Sequence, residues 1–178
     1  MIARRAGCRM ISFGVETGSD EGLKVLKKGC NVEKIQNAFR WCRELGIISV
    51  ADFMIGLPHE RSEQDVLDNI QFLIDLDPDY AQFNIMPLYP HTEAYDQAVA
   101  KGLIQDGRWQ QFALNPTHDF RVDHWEEHIP MSKLVELHKL AYKKFYIRSR
   151  YIYRSALKTK SPFELISKFR GALKILRT

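Results

Sequence analysis

The chain has 178 residues, 45% of them hydrophobic and 27% charged, which suits one domain with a continuous core and excludes global disorder. The net charge of +4 is unevenly spread: Lys143 to Thr178 carries eleven basic residues against the single acid Glu164, a net +10 that leaves −6 on the rest. No run of about 18 or more uncharged apolar residues occurs, and Met1-Ile2-Ala3-Arg4-Arg5 lacks the apolar stretch and cleavage site of a secretory leader, so a cytoplasmic protein is expected, with membrane-peripheral attachment as the alternative.

Met10 to Val15 reads as a strand whose nearly continuous apolar run predicts burial on both faces, and it opens through Glu16-Thr17-Gly18 into a helix. Ser19 is placed to cap that helix, Asp20 and Glu21 to lie in its first turn, and Gly29 to stop it. Asn31 caps a second helix with the apolar stripe Ile35, Ala38, Phe39 and Cys42, ending at Gly46.

The next strand, Ile47 to Ile55, leads through Gly56-Leu57-Pro58 to Ser62, whose spacing to Asp65 resembles a capping box. Val66, Leu67, Ile70, Leu73 and Ile74 supply helical periodicity up to Asp77-Pro78. A third strand, Tyr80 to Met86, breaks at Pro87 and Pro90 before a helix from about Thr92 to Lys101. The alternation predicts parallel strands with right-handed crossovers, part of a barrel whose strand ends hold a ligand.

From about Leu103 to Ile129 the period is lost. Trp109, Phe112, Phe120 and Trp125 fall among turn residues, a long ordered cap that either covers a site or packs its aromatics on the barrel. From Ser132 a helix with Leu134, Leu137, Ala141 and Phe145 runs into the basic region, and Pro162 opens a final amphipathic helix through Phe163, Ile166, Phe169 and Leu173.

Ligands of parallel sheets and barrels bind at the carboxyl ends of the strands, which singles out Glu16 and Asp52. A carboxylate there accepts several hydrogen bonds in fixed geometry and suits ribose hydroxyls or an ammonium group. Glu16 reads alternatively as a helix-start acid, and Asp52 as half of a structural ion pair with an arginine. Thr17-Gly18-Ser19 offers free N–H groups to an anion or is a plain capping turn, and Gly56-Leu57-Pro58 is an open backbone or a tight turn.

Cys8, Cys30 and Cys42 form no C-x-x-C pair and no disulfide framework, and no metal-ligand cluster is expected in the chain. His124 and His128, four apart in a polar stretch, read as solvent-exposed.

Phe13-Gly-Val-Glu-Thr-Gly-Ser19 with Leu23-Lys-Val-Leu-Lys-Lys-Gly29, then Asp52-Phe-Met-Ile-Gly-Leu-Pro58, then Met86-Pro-Leu-Tyr-Pro90 with Thr92 and Tyr95 together resemble the second half of a radical S-adenosylmethionine (radical SAM) domain. The match covers about residues 6 to 104. The tail Phe145-Tyr-Ile-Arg-Ser-Arg-Tyr-Ile-Tyr-Arg154 resembles the extension of cobalamin-binding-domain radical SAM proteins, the group with anaerobic magnesium-protoporphyrin monomethyl ester cyclase and hopanoid-modifying enzymes.

The resemblance implies an α/β fold: the second half of a partial (β/α)6 TIM-type barrel over 1–104, an irregular cap over 105–130, and a basic helical extension over 131–178. It implies Glu16 and Asp52 as the leading contacts to S-adenosylmethionine, with Ser12, Ile55, Gly56 and Met86 as lesser ones, and no catalytic or metal-binding residue in the chain. Family members hold a [4Fe-4S] cluster through C-x-x-x-C-x-x-C, a spacing absent here, so the cluster ligands are expected upstream, with a cobalamin site possible in the parent protein.

The expectation is therefore a C-terminal portion of a radical SAM enzyme, whether an excised segment, a split gene or a truncated frame, partnered by the missing half of the barrel. Two alternatives stand beside it. One is a small α/β enzyme or binding module using a nucleotide or sugar. The other is an interaction module whose basic terminal helix, Lys168, Arg170, Lys174 and Arg177 among apolar residues, binds an anionic membrane surface; no specific nucleic-acid motif is present.

Overall fold

The computed structural model of the protein describes residues 2–158 together with Ser161 and Gly171. After a short α1 (Ile2–Arg5), three strands, β1 (Met10–Glu16), β2 (Ile48–Ile55) and β3 (Tyr80–Ile85), form a parallel sheet in the order β1-β2-β3. Helices α2 (Asp20–Val25) and α3 (Val32–Leu45) join β1 to β2, and α4 (Glu63–Leu76) joins β2 to β3. Then come α5 (Glu93–Ala100), α6 (Arg108–Leu114), α7 (Met131–Tyr146) and α8 (Ser149–Lys158). The strand–helix alternation is the α/β, partial-barrel arrangement with a helical extension.

Side-chain oxygens of Ser19, Asn31, Ser62 and Thr92 cap α2, α3, α4 and α5, and Ser62 and Asp65 complete a reciprocal capping box. Gly46 ends α3 in the left-handed conformation (φ 63°). Two stretches differ from the sequence reading. Helix α2 ends with Leu26 as its C-cap rather than at Gly29, because Lys27 takes the left-handed conformation (φ 53°) and the Lys28 N–H turns back to the Leu23 carbonyl at 3.0 Å. The cap segment contains α6, a seven-residue helix with no buried residue and hence no apolar stripe to announce it.

Among the described residues the sheet is covered on one face only, which corrects the expectation for β1. Val15, Ala51, Phe53, Ile55, Ala81 and Phe83 are buried, in contact with a core that includes Phe39, Ile70, Leu73, Leu137 and Phe145 from α3, α4 and α7. The alternate residues Ser12, Gly14, Gln82 and Asn84 are exposed, while Asp52 and Met54 are half-buried. Ser12 and Gly14 interrupt the apolar run, and with a period of two they turn the opposite way from Phe13 and Val15. A second cluster, Leu57, Met86, Leu88, Tyr95, Ala98 and Trp125, closes the carboxyl end of the fold.

The outer edge of β3 is sealed by side chains of α7. The Tyr146 hydroxyl accepts from the Ala81 N–H at 3.0 Å and donates to the Ala81 carbonyl at 2.7 Å. Tyr142 does the same at Phe83, at 3.3 and 3.4 Å, and His138 Nε2 donates to the Phe83 carbonyl at 2.9 Å. Four residues along a helix rise about 6 Å and two along a strand about 6.6 Å, so Tyr146 and Tyr142, four apart, meet the successive outward-facing backbone pairs of Ala81 and Phe83. The outer edge of β1 carries no strand among the described residues.

Helix α8 is anchored below the sheet at Asp77, the αL residue (φ 53°) that ends α4. Arg148 donates to Asp77 Oδ1 at 2.7 Å and to the Ile74 carbonyl at 2.7 Å, and Arg154 pairs with Asp77 Oδ2. Cations thus meet the last carbonyls of α4, where the helix dipole favours them. The helix expected from Pro162, and with it the membrane-surface reading, lies outside the described residues. Among the described residues no helix is long and apolar enough to cross a membrane.

Candidate functional site

The open face of the sheet is polar, with Ser12, Asp52, Gln82 and Asn84 across it and Glu16 at the carboxyl end of β1. Gly14 of β1 stands opposite Asp52 of β2, which stands opposite Gln82 of β3. Ser12 Oγ donates to Asp52 Oδ2 at 2.7 Å, so Asp52 is held by a hydroxyl rather than by an arginine. Its second carboxylate oxygen has no protein donor among the described residues.

At the end of β1 the pairing shifts register between Gly14 and Glu16, and Glu16 takes φ +64°. A non-glycine residue there costs on the order of 1 kcal/mol, and such strain concentrates at binding sites. The consequence here is that Glu16 turns back alongside its own strand and meets Lys28, Oε1 to Nζ at 3.0 Å. Gly14 makes room for the pair: a Cβ at that position would lie 2.6 Å from Glu16 Oε1 and 3.1 Å from Lys28 Nζ.

The loops carrying these residues are locked together from behind by a buried network. Glu60, only 2% exposed, accepts from the N–H groups of Gly56 at 2.7 Å and Leu57 at 2.9 Å with Oε2, and from Asn69 Nδ2 at 2.7 Å with Oε1. Asn69 Oδ1 in turn accepts from Gly18 N–H at 2.9 Å and Thr17 Oγ1 at 3.0 Å. With its proton on Asn69, Thr17 accepts from His59 Nε2 at 3.3 Å, which leaves His59 Nδ1 buried without a partner.

Burial pushes the Glu60 carboxyl up, against the pull of its three donors, and burial pushes the His59 imidazole down, against Glu21 and Asp65. Thr17-Gly18 is therefore engaged by protein, as a structural turn joined to the β2 loop. Gly18 packs against Phe72 and Gly22 against the His59 ring, with no space for a Cβ at either.

Of the six residues singled out in sequence, Glu16, Asp52 and Ser12 share the open face. Ile55 and Met86 do not join them. The Ile55 side chain is fully buried on the helix-covered face and its carbonyl accepts the Met86 N–H at 2.9 Å, while Met86 is 7% exposed and its carbonyl accepts from His124 Nδ1 at 2.9 Å. Alternation along the strand decides this, since Ile55 shares the parity of Phe53 and Ala51. Gly56 takes φ +75° with its N–H bound to Glu60, so it offers a side-chain-free turn and no free donor.

His124 is half-buried and bridged to Pro87 rather than solvent-exposed, whereas His128 is exposed. Sequence reading missed Lys28, Glu60 and Asn69. The E-x-x-x-x-x-x-x-x-N spacing of Glu60 and Asn69 carries no period, and Lys28 is one of three lysines in Leu23 to Lys28.

These groups fit an amino-acid nucleoside. The Glu16–Lys28 pair offers one charge of each sign to an ammonium and a carboxylate, and Asp52 offers an acceptor to ribose hydroxyls. They do not fit an iron–sulfur cluster: the free thiols of Cys8, Cys30 and Cys42 make no ligand set, and among the described residues no group of three or more His, Cys, Asp or Glu is arranged to hold a metal ion.

The model of the radical SAM superfamily matches residues 2–73. An uncharacterized methyltransferase of Pyrococcus horikoshii is 29% identical over 148 residues, 83% of this chain and 31% of that protein. The anaerobic magnesium-protoporphyrin IX monomethyl ester cyclase of Cereibacter sphaeroides is 30% identical over 94 residues, 53% of this chain and 15% of the cyclase. Among solved structures, the radical S-adenosylmethionine methyltransferase TsrM of Kitasatospora setae, with cobalamin and a [4Fe-4S] cluster bound, superposes with a TM-score of 0.51 at 26% identity over 56% of this chain and 20% of that one. The chain spans less than a third of each.

Proposed function

Because the chain belongs to the radical SAM superfamily, we propose that its open sheet face is the part of an S-adenosylmethionine site that reads the amino-acid and ribose portions of that molecule. The observation that carries this is the Glu16–Lys28 pair, opposite charges 3.0 Å apart, held at a bulged strand end beside a glycine that leaves it room. Lys28 receives the carboxylate and Glu16 the ammonium of the amino-acid portion, each exchanging its partner in the protein for one in the ligand. Asp52, oriented by Ser12, accepts from a ribose hydroxyl.

Bound S-adenosylmethionine, reduced by a cluster, supplies a 5′-deoxyadenosyl radical that abstracts hydrogen from substrate. The residues of this chain bind and orient; the cluster ligands belong to the rest of the barrel, which adds to the outer edge of β1. The whole protein is read as an enzyme of methylation, cyclisation or rearrangement, and a cobalamin site elsewhere in it is supported by the likeness to TsrM.

The test is titration of S-adenosylmethionine into the 178-residue chain, followed by NMR at the backbone amides of Gly14, Lys28 and Asp52. Saturable shifts at these amides, weakened at least about tenfold in Glu16→Gln and in Lys28→Met at unchanged unfolding midpoint, are expected for a charge-assisted pair of contacts. No shift at any of the three up to roughly 10 mM ligand, an affinity of only about −2.7 kcal/mol, would sink the reading.

A further inference from the structure

A cavity of about 450 Å³ opens at the carboxyl ends of β2 and β3, beside the first turns of α7. Met54, Pro87 and Met131 give it apolar walls, and Asn84, His124 and His138 give it polar ones; no lysine, arginine, aspartate or glutamate lines it. The size is that of a small-molecule site, and an ionised ligand group would find no permanently charged side chain there.

The two histidines are fixed in complementary tautomers. His124 bonds the Met86 carbonyl through Nδ1 at 2.9 Å, and His138 bonds the Phe83 carbonyl through Nε2 at 2.9 Å. A carbonyl only accepts, so the proton of neutral His124 is on Nδ1 and that of His138 on Nε2. This leaves His124 Nε2 and His138 Nδ1 as acceptors. Among the described residues neither has a protein partner, and neither is a sealed-off polar atom.

We propose that this cavity receives the substrate of the enzyme, and that the substrate is uncharged there, with an apolar body and a hydroxyl or N–H group that donates to His124 or His138. The assignment to substrate rests on the radical SAM reading, in which the charged cofactor is drawn to Glu16 and Lys28; the chemistry of the cavity stands on its own lining. Because α7 both seals β3 and supplies Met131 and His138, the wall of the chamber is built from the same helix that closes the sheet.

The experiment uses the 178-residue chain with ¹⁵N-labelled histidine and follows the imidazoles of His124 and His138 during titration with p-cresol, toluene and p-toluate. p-Cresol shifts both imidazoles and binds at least about fivefold more tightly than toluene or p-toluate, the size expected of one hydrogen bond. His138→Phe abolishes the preference of p-cresol over toluene. If that variant fails to fold, His124→Phe, which removes the other acceptor, is read instead and narrows the same ratio.

Equal binding of toluene or p-toluate, or no shift at either imidazole, overturns the proposal. Displacement of p-cresol by 5′-deoxyadenosine also overturns it and assigns the cavity to the nucleoside. Failure of the cofactor reading is separate, because it appears as unmoved amides at Gly14, Lys28 and Asp52.

Discussion

Asn69→Asp tests whether the buried network behind the site is what holds the two loops. The change is isosteric: one carboxylate oxygen still accepts from Gly18 N–H and Thr17 Oγ1, but the other replaces the amide that donates to Glu60 Oε1 at 2.7 Å. Two carboxylates then face each other in a buried place. If both ionise, charges centred about 4 Å apart at an effective dielectric of about 20 repel by about 4 kcal/mol; if one keeps its proton at neutral pH, holding it costs a similar amount. At acid pH a shared proton restores an O–H···O bond, and Glu60 is already pushed up by burial, so it accepts that proton readily.

Urea unfolding at pH 8 and pH 5, against the parent chain at each pH, is therefore expected to give a loss of roughly 3–4 kcal/mol at pH 8 and under about 1 kcal/mol at pH 5. Asn69→Ala serves as the comparison. It leaves Gly18 N–H, Thr17 Oγ1 and Glu60 short of a partner and loses roughly 2–4 kcal/mol at both pH values. An Asn69→Asp loss that is below about 1 kcal/mol at pH 8, or equal at the two pH values, would refute the network's role.

Further outcomes are expected from three other positions. His59 is held neutral by burial, so an unfolded chain takes up a proton near pH 6.5 that the folded one resists; stability is full above that pH and falls as pH drops through the window below it, by up to about 1.4 kcal/mol per unit, a slope that His59→Gln flattens in urea titrations. Tyr146→Phe removes both bonds to Ala81 and lowers stability by roughly 1–2 kcal/mol, with earlier hydrogen exchange at the Ala81 amide; unchanged exchange there refutes edge sealing. Gly14→Ala places a Cβ 2.6 Å from Glu16 Oε1 and so weakens S-adenosylmethionine binding at an unchanged unfolding midpoint, because Gly14 is exposed on the open face; a tighter complex contradicts the site geometry.

The strands, their parallel order and the caps at Ser19, Asn31, Ser62 and Thr92 were legible because each rests on neighbours in sequence: period, a capping side chain, a proline or glycine stop. Glu16, Asp52 and Ser12 stood out in sequence as polar residues of the first two strands, and alternation along β1 and β2 puts them on one face. Ile55 and Met86 lie apart from these three because proximity to a strand end says nothing about which face a side chain takes. Glu60 and Asn69 were invisible because a buried carboxylate and a buried amide find each other across a turn and a helix, and only their burial identifies them. The tyrosines of α7 looked like ordinary helix aromatics, and their hydroxyls acquire meaning only against the edge of β3.

That edge decides how many copies of the sheet can join. A strip of parallel strands with both margins free can add a copy at each and grow without end into a fibre. Here Tyr142, Tyr146 and His138 occupy one margin, so among the described strands β1 is the one left to extend the sheet. Two such units meeting there, edge to edge about a two-fold axis, consume both free margins and stop. Among the described residues the sheet is thus open to completion at β1 and closed along Ala81 and Phe83 of β3.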